Sequence, residues 1–331
     1  MVPAGLPEFG SASHEGRPAP PHHPRIEGTL MVIQLADHAT ISKPVGKTWA
    51  LAPDDEIAPG LRAQALLGIG ERYEVYLAWN ERLLAPTVVK LLRPRLADHP
   101  RALGALATEA ALLHRLNHPG LPRRFGFEAF GERPFVEIEF LDGPRLSTLI
   151  RRHGRLVPEQ LYPLARQLAA TLVYLHGEGI VHLDVKPRNI IMSSVPRLID
   201  LSVARTTDSL ADIRSAIGTD AYMAPEQADP DRFGLIGPAS DVFGLGATLH
   251  EAALKRLPYA RGHRGGTLPI ERFPQLGATI SVRDARIPPP LAELLEACLA
   301  TDPQGRPTPS DLFDAFDDLA SRAGVGRAAR R

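Results

Sequence analysis

The segment VHLDVKPRNII, residues 181–191, constrains this chain more than any other. Its ends are apolar and β-branched and read as short strands, and the polar residues His182, Asp184, Lys186 and Asn189 stand between them. A chain folded in this way brings a carboxylate, an ammonium and an amide into one short loop. Those residue types suit phosphoryl transfer. Asp184 is placed to accept the proton of a substrate hydroxyl, Lys186 to neutralise charge on the moving group, and Asn189 to offer an oxygen to Mg2+. The plainer reading, a polar surface loop, loses weight because further polar positions succeed it in a fixed order along the chain.

Composition narrows the setting. A chain of 331 residues suggests two domains or one large two-lobed unit. Lys+Arg and Asp+Glu both number 38, which argues against a chain-wide nucleic-acid-binding surface. The single cysteine, Cys298, excludes an internal disulfide and lies in an apolar helical pattern. No run approaches the apolar length of a membrane span, and the N-terminus lacks the apolar core of a secretory signal, so a cytoplasmic location is expected. Only five of the 38 basic residues are lysines, at positions 43, 47, 90, 186 and 255, so each lysine invites inspection.

Along the chain, residues 1–30 are rich in Pro, Gly and His and read as a disordered leader. Residues 31–60 carry short apolar runs and form an extension that packs on, or tethers, the domain beginning at Leu61. From 61 to 142 the pattern is mostly strands, with one amphipathic helix through Leu103, Leu106, Ala110 and Leu113. In EVYLAW, Val75, Leu77 and Trp79 alternate with their neighbours as in a half-buried strand. From 143 to 320 helices dominate, the last of them capped by Thr308 or Ser310, and residues 321–331 form a basic tail.

The order H-x-D-x-K-P-x-N (His182, Asp184, Lys186, Pro187, Asn189), then D-L-S at Asp200, then G-T-D-A-Y-M-A-P-E ending at Glu226, resembles the bacterial eukaryotic-like (Hanks-type) serine/threonine protein kinases. The resemblance runs from about Leu61 to Leu319. It implies an α+β, two-lobed protein-kinase-like fold: a small lobe with a five-stranded antiparallel sheet and one helix, and a larger, mainly helical lobe. ATP would lie between them, with Mg2+ as the metal and Mn2+ as its substitute. It further implies that Lys90 holds phosphates and pairs with Glu109, that Asp184, Lys186 and Thr219 serve the transfer, and that Asn189 and Asp200 hold the metal. Gly68 and Gly70 would form the phosphate loop. Val75, Val88 and Ile191 would enclose the adenine, Ile138 would stand as gatekeeper, and Glu139 and Leu141 would form the hinge. Glu226 would pair with Arg306, and Asp241 would tie down the catalytic loop.

Three positions depart from the family pattern. Tyr73 replaces a loop glycine, which places an aromatic ring over the phosphates and hinders ATP. Leu183 replaces the arginine that many kinases use to anchor an activation-loop phosphate. Ser202 replaces the glycine after the metal-binding aspartate and makes that turn harder to flip. The implied partner is a protein with a Ser or Thr acceptor, with Thr206, Thr207, Ser209 and Ser215 as candidate autophosphorylation positions, and with neither nucleic acid nor a membrane span involved. The rival reading is a pseudokinase, a binding scaffold without phosphotransfer.

Overall fold

Apolar strands build most of the first half of the protein, and helices, nearly all started by proline, build the second. The computed structural model describes residues 40–41 and 46–325, apart from 264, 266, 267, 278, 279 and 283. The expected leader, the apolar run TLMVIQLA and the end of the basic tail lie outside the described residues.

Seven described strands form one sheet: β1 (Thr40–Ile41), β2 (Glu56–Ala58), β3 (Leu61–Ile69), β4 (Tyr73–Asn80), β5 (Ala85–Leu92), β6 (Arg124–Glu128) and β7 (Phe135–Glu139). The order is β1-β3-β4-β5-β7-β6, with β2 also paired to β3. The sheet therefore exceeds the five antiparallel strands expected. Both additions, β1 and β2, come from before Leu61, and β1 runs parallel to β3, pairing Thr40 with Gly68 and Ile41 with Ile69. They occupy the backbone groups of β3 that would otherwise form an open edge.

Both faces of this sheet are covered, which is why the simple alternation read in β4 fails. Helix α1 (Pro100–Arg115) packs on the inner face, and Tyr73, Leu92, Val136 and Ile138 share one core with its Leu106, Ala110 and Leu113. On the outer face Tyr76, Ala78, Val89 and Leu91 form a second core with Ile57 and Phe135, closed by Trp49 and Leu51. Trp49 is fastened at two points: its indole N–H donates to the Leu92 carbonyl at 2.7 Å, and its backbone N–H donates to the buried Glu74 carboxylate at 3.2 Å.

The second half holds the helices α2 (Leu146–His153), α3 (Pro158–Gly177), α4 (Pro225–Ala228), α5 (Pro230–Phe233), α6 (Pro238–Leu254), α7 (Pro269–Arg272), α8 (Pro289–Cys298) and α9 (Pro309–Arg322). All but α2 begin on proline, whose fixed φ suits a first turn that needs no N–H donor. Thr308 caps α9 in a reciprocal bond pair with Asp311. Helix α9 lies on α3 through Tyr162 and Phe316, with Arg166 paired to Asp317 at 2.6 Å beside them. Cys298 is fully buried in α8, and burial pushes its thiol up to about 12. No helix among the described residues is long and apolar enough to cross a membrane.

Two small ribbons complete the frame. Strand β8 (Ile180–Val181) pairs with β11 (Arg205–Thr206), and β9 (Ile190–Ile191) pairs with β10 (Arg197–Leu198), all antiparallel. The apolar ends of the 181–191 segment are thus short strands, and its polar residues form the loop between β8 and β9.

Candidate active site

The β8–β9 loop is held from below by α6. Asp241, near the start of that helix, accepts the backbone N–H of Leu183 at 2.7 Å and of His182 at 2.8 Å, and meets His176 Nε2 at 2.9 Å. Leu183 has φ of 63°, in the left-handed region that side-chain-bearing residues enter at a cost. The Asp241 bonds offset that cost. Gln227 braces the loop from another side by donating to the carbonyls of Leu183 and Ile217, each at 2.9 Å. Gly218, with φ of 113°, passes so close that an added Cβ would stand 2.6 Å from the Leu183 carbonyl oxygen. Asp241 is legible in the sequence, whereas His176 and Gln227 lie beside motifs without belonging to their core letters.

Above this brace, four predicted residues converge. Lys186 Nζ lies 2.5 Å from Asp184 Oδ2 and 2.6 Å from the Thr219 hydroxyl, which itself donates to Asp184 Oδ1 at 2.6 Å. Asn189 Nδ2 donates to both the backbone oxygen and Oδ2 of Asp184 at 3.0 Å. With its N–H groups so used, the amide oxygen is the group Asn189 has left to offer a cation.

A second cluster faces the first. Lys90, in the middle of β5, places Nζ 2.5 Å from Glu109 on α1 and 2.8 Å from Asp200. Burial pulls the Lys90 ammonium toward its neutral form, but the Asp200 and Glu109 carboxylates outweigh it and hold its pKa above the ordinary lysine value. For Asp200, burial favours protonation, yet the charge and hydrogen bond of Lys90, with the Ser202 hydrogen bond and the Lys186 charge, together outweigh it and hold the carboxyl below the usual range. Asp200 adopts a left-handed backbone with φ of 73°, whereas Ser202 has no positive φ. The unusual conformation thus sits on the aspartate, and the serine meets no backbone penalty in this turn. Leu201 fills the apolar slot expected of it.

Val75, Val88, Lys90, Ile138, Glu139, Leu141, Asn189, Ile191 and Asp200 line one cleft between the sheet and the helical half. Leu67, Phe140, Arg145 and Ile199 line it as well. Arg145 carries no motif signal in the sequence. Its Nη1 donates to the Arg188 carbonyl at 3.1 Å, and its Nε is buried without a hydrogen-bond partner. Gly68 and Gly70 form the β3–β4 hairpin at the cleft's edge, closed by a bond from Gly70 N–H to the Tyr73 carbonyl at 2.8 Å, and neither uses a left-handed backbone.

The Protein kinase domain family matches residues 61–315, most of the chain and all of this cleft. The chain belongs to the protein kinase family. Among curated members of that family, serine/threonine-protein kinase PkaA of Streptomyces coelicolor is 31% identical over 246 residues, covering 72% of this chain and 44% of that relative. The probable serine/threonine-protein kinase PkwA of Thermomonospora curvata is 33% identical over 260 residues, covering 76% of this chain and 33% of the relative. Serine/threonine-protein kinase PknD of Mycobacterium tuberculosis is 29% identical over 262 residues, covering 78% and 38%. This kinase-family chain therefore matches less than half the length of these relatives.

The departure at Tyr73 does not take the form expected. The tyrosine is buried, and its ring is turned inward toward α1 and Lys90 instead of standing over the space where phosphates would lie. The site at the mouth of the loop has Arg72 in the exposed position. An apolar core beneath the sheet was available to the ring, and that outweighed exposure above the cleft.

Proposed function

We propose that this chain transfers the γ-phosphoryl group of ATP to Ser or Thr hydroxyls of proteins in a Mg2+-dependent reaction. The observation that carries this reading is that Lys90, Asp200 and Asn189 line one cleft, with Glu109 bonded to Lys90, and with Asp184, itself bonded to Lys186 and Thr219, bonded to Asn189. The apolar walls Val75, Val88 and Ile191 would take the adenine, with Ile138 as gatekeeper behind it and the Glu139–Leu141 backbone as its hydrogen-bonding edge. Lys90, kept in place by Glu109, would bind the phosphates. Gly68 and Gly70 would cover them.

The metal donors fit Mg2+. They are one carboxylate, Asp200, and one amide oxygen, Asn189, and no group of three His, Cys, Asp or Glu side chains among the described residues holds a metal alone. A cation that keeps water and substrate phosphate as most of its ligands suits such a sparse set. When bound, it would neutralise charge on the phosphate oxygens. Asp184 would orient the acceptor hydroxyl and take its proton as that oxygen bonds to the γ-phosphorus, while the bond from phosphorus to the β,γ-bridging oxygen breaks and ADP leaves. Lys186 would offset the charge gathering on the transferred group. Thr219 would fix the carboxylate's rotation. Thr206, Thr207, Ser209 and Ser215 would be candidate autophosphorylation positions, and the setting would be cytoplasmic.

The test is transfer of labelled phosphate from ATP to casein or myelin basic protein, with Asp184→Asn as control. Label on substrate from the wild type alone supports the reading. Nucleotide binding without transfer would replace it with the scaffold reading.

A further inference from the structure

Tyr73 stands where the family's loop pattern has a small, flexible residue, yet it is one of the more enclosed side chains near the cleft, with 8% of its surface exposed. It opens β4, opposite Leu92 of β5, and belongs to the core shared with Leu106 and Ala110 of α1. The ring face lies 4.8 Å from Lys90 Nζ. That ammonium has three N–H donors, and two are directed to Glu109 at 2.5 Å and Asp200 at 2.8 Å.

The chemistry of the third neighbour matters. A further carboxylate there would consume a donor and cancel the positive charge that a phosphate needs. An aliphatic side chain would leave one side of a buried ammonium against hydrocarbon, at a cost in solvation. An aromatic face attracts a cation through its quadrupole and takes no hydrogen bond from it. It can hold Lys90 without competing with phosphate oxygens. Burial, aided by the Glu109 carboxylate, pushes the phenol up to about 12, so the ring stays neutral near pH 7. The phenol oxygen is buried without a hydrogen-bond partner, so it is the ring face and not the hydroxyl that meets Lys90.

We infer that Tyr73 is a positioning residue for the phosphate-binding lysine: its ring holds the Lys90 ammonium between Glu109 and Asp200, aimed at the cleft before nucleotide arrives. This rests on the kinase reading of the cleft, but it concerns nucleotide binding and is separable from phosphotransfer.

The experiment compares Tyr73→Phe, which keeps the ring, with Tyr73→Leu, which keeps apolar bulk without it, in the full chain. Mg·ATP affinity is measured by calorimetry, with thermal midpoints recorded for each variant. Tyr73→Phe should bind within about threefold of wild type, and Tyr73→Leu about tenfold more weakly. The Michaelis constant for ATP should follow the binding loss, with kcat less affected. The same pair is then compared in a Lys90→Met background, where the difference between Phe and Leu should vanish both in affinity and in thermal midpoint. If Leu binds as well as Phe in the wild-type background, or if the difference persists without Lys90, the inference fails. If Tyr73→Leu unfolds at the assay temperature, the shift in midpoint caused by Lys90→Met decides the matter: a penalty unchanged by loss of the lysine assigns Tyr73 to packing alone. Absence of phosphotransfer in the wild type would overturn the kinase reading and leave this binding comparison intact.

Discussion

Thr219 and Asp184 lie far apart in sequence, yet the threonine hydroxyl donates to Asp184 Oδ1 at 2.6 Å. Lys186 bridges the same two residues, and Asn189 reaches the other carboxylate oxygen. Three donors therefore fix one carboxylate in one orientation. This is the order a base needs if it is to meet a hydroxyl without rotating at the moment of transfer. Asp184→Asn preserves shape but cannot accept a proton. It should abolish phosphotransfer and leave ATP affinity nearly unchanged, because the lysine proposed to bind the phosphates is Lys90 and does not contact Asp184. Retention of most of the wild-type rate would show that Asp184 has been given the wrong role.

The metal reading makes a separate demand. Asp200 is the only carboxylate assigned to the cation, so its loss leaves a single amide oxygen. Asp200→Ala, or EDTA added to the wild type, should reduce label transfer to background. Mg2+ or Mn2+ should restore the EDTA-treated wild type and not the variant. Transfer that survives EDTA would rule out the metal-dependent mechanism.

Much of this site was legible because phosphate chemistry forces charged residues into fixed order. Lys90, Glu109, Asp184, Asn189 and Asp200 could be picked from spacing and resemblance; Lys90, Asn189 and Asp200 line one cleft, with Glu109 bonded to Lys90 and Asp184 bonded to Asn189 behind them. What escaped was governed by packing partners remote in sequence. The direction of the Tyr73 ring depends on α1 lying beneath the sheet, which no local pattern around the hairpin states. The burial of Tyr76 and Ala78 depends on Trp49 and Ile57 covering the outer face. Arg145 enters the cleft from a loop whose sequence reads as ordinary surface. Periodicity reports that a side chain is apolar or exposed, and it does not report which distant segment arrives to cover it.

The Glu226–Arg306 pair is enclosed, with both side chains wholly inaccessible and contacts at 2.6 Å and 2.9 Å. Ser240 donates to the same Glu226 oxygen that accepts from Arg306 Nη1, at 2.7 Å. Removing one charge strands the other away from water. Arg306→Leu or Glu226→Gln should each lower unfolding free energy by about 3–5 kcal/mol, and the double variant should lose less than the sum. Urea titrations followed by circular dichroism measure this. Additive losses would show that the two residues act independently.

His250 gives the fold a pH dependence. It is buried in α6, with Nδ1 at 3.0 Å from the Arg256 carbonyl, so Nδ1 carries the proton of the neutral ring. Burial lowers its pKa to about 4 from an ordinary value of 6.5. The unfolded chain therefore takes up a proton first as pH falls. The stabilisation is complete above about pH 6.5 and is lost on the way down to about pH 4, amounting to at most about 3 kcal/mol. His250→Gln keeps a donor for the carbonyl and removes the titration. Unfolding free energies measured from pH 7.5 to 4.5 should fall more steeply for wild type than for this variant. Parallel curves would show that His250 does not couple folding to protons.

The activation segment is held by packing. In many kinases an arginine before the catalytic aspartate anchors a phosphate on this segment, and such a phosphate carries about −1.5 to −2 charge that needs cationic donors. Here the position is Leu183, only 3% exposed, in an apolar cluster with Val181 and Ile236. Val203, Leu210, Ile213 and Ile217 pack against that cluster, so hydrocarbon contact fastens the segment. Arg205 donates through Nη1 to the carbonyls of Val203 and Ala204, and Arg214 through Nη1 to those of Ala211 and Ile213, so both are tied to the segment's own backbone. Phosphorylation of the segment is thus expected not to be the main on-switch. A variant with Thr206, Thr207, Ser209 and Ser215 all changed to Ala, treated with phosphatase, should phosphorylate an exogenous substrate within about tenfold of wild type, or about 1.4 kcal/mol in barrier. It gives up one local contact set, the bonds between the half-buried Thr206 and Ser209 at 2.9 Å and 3.1 Å. Leu183→Arg should instead lower activity, because it puts an unpaired charge into the cluster that holds the segment down. A larger loss from the quadruple variant with its fold intact would mean that a phosphate, and a basic group other than an arginine at 183, completes the active arrangement.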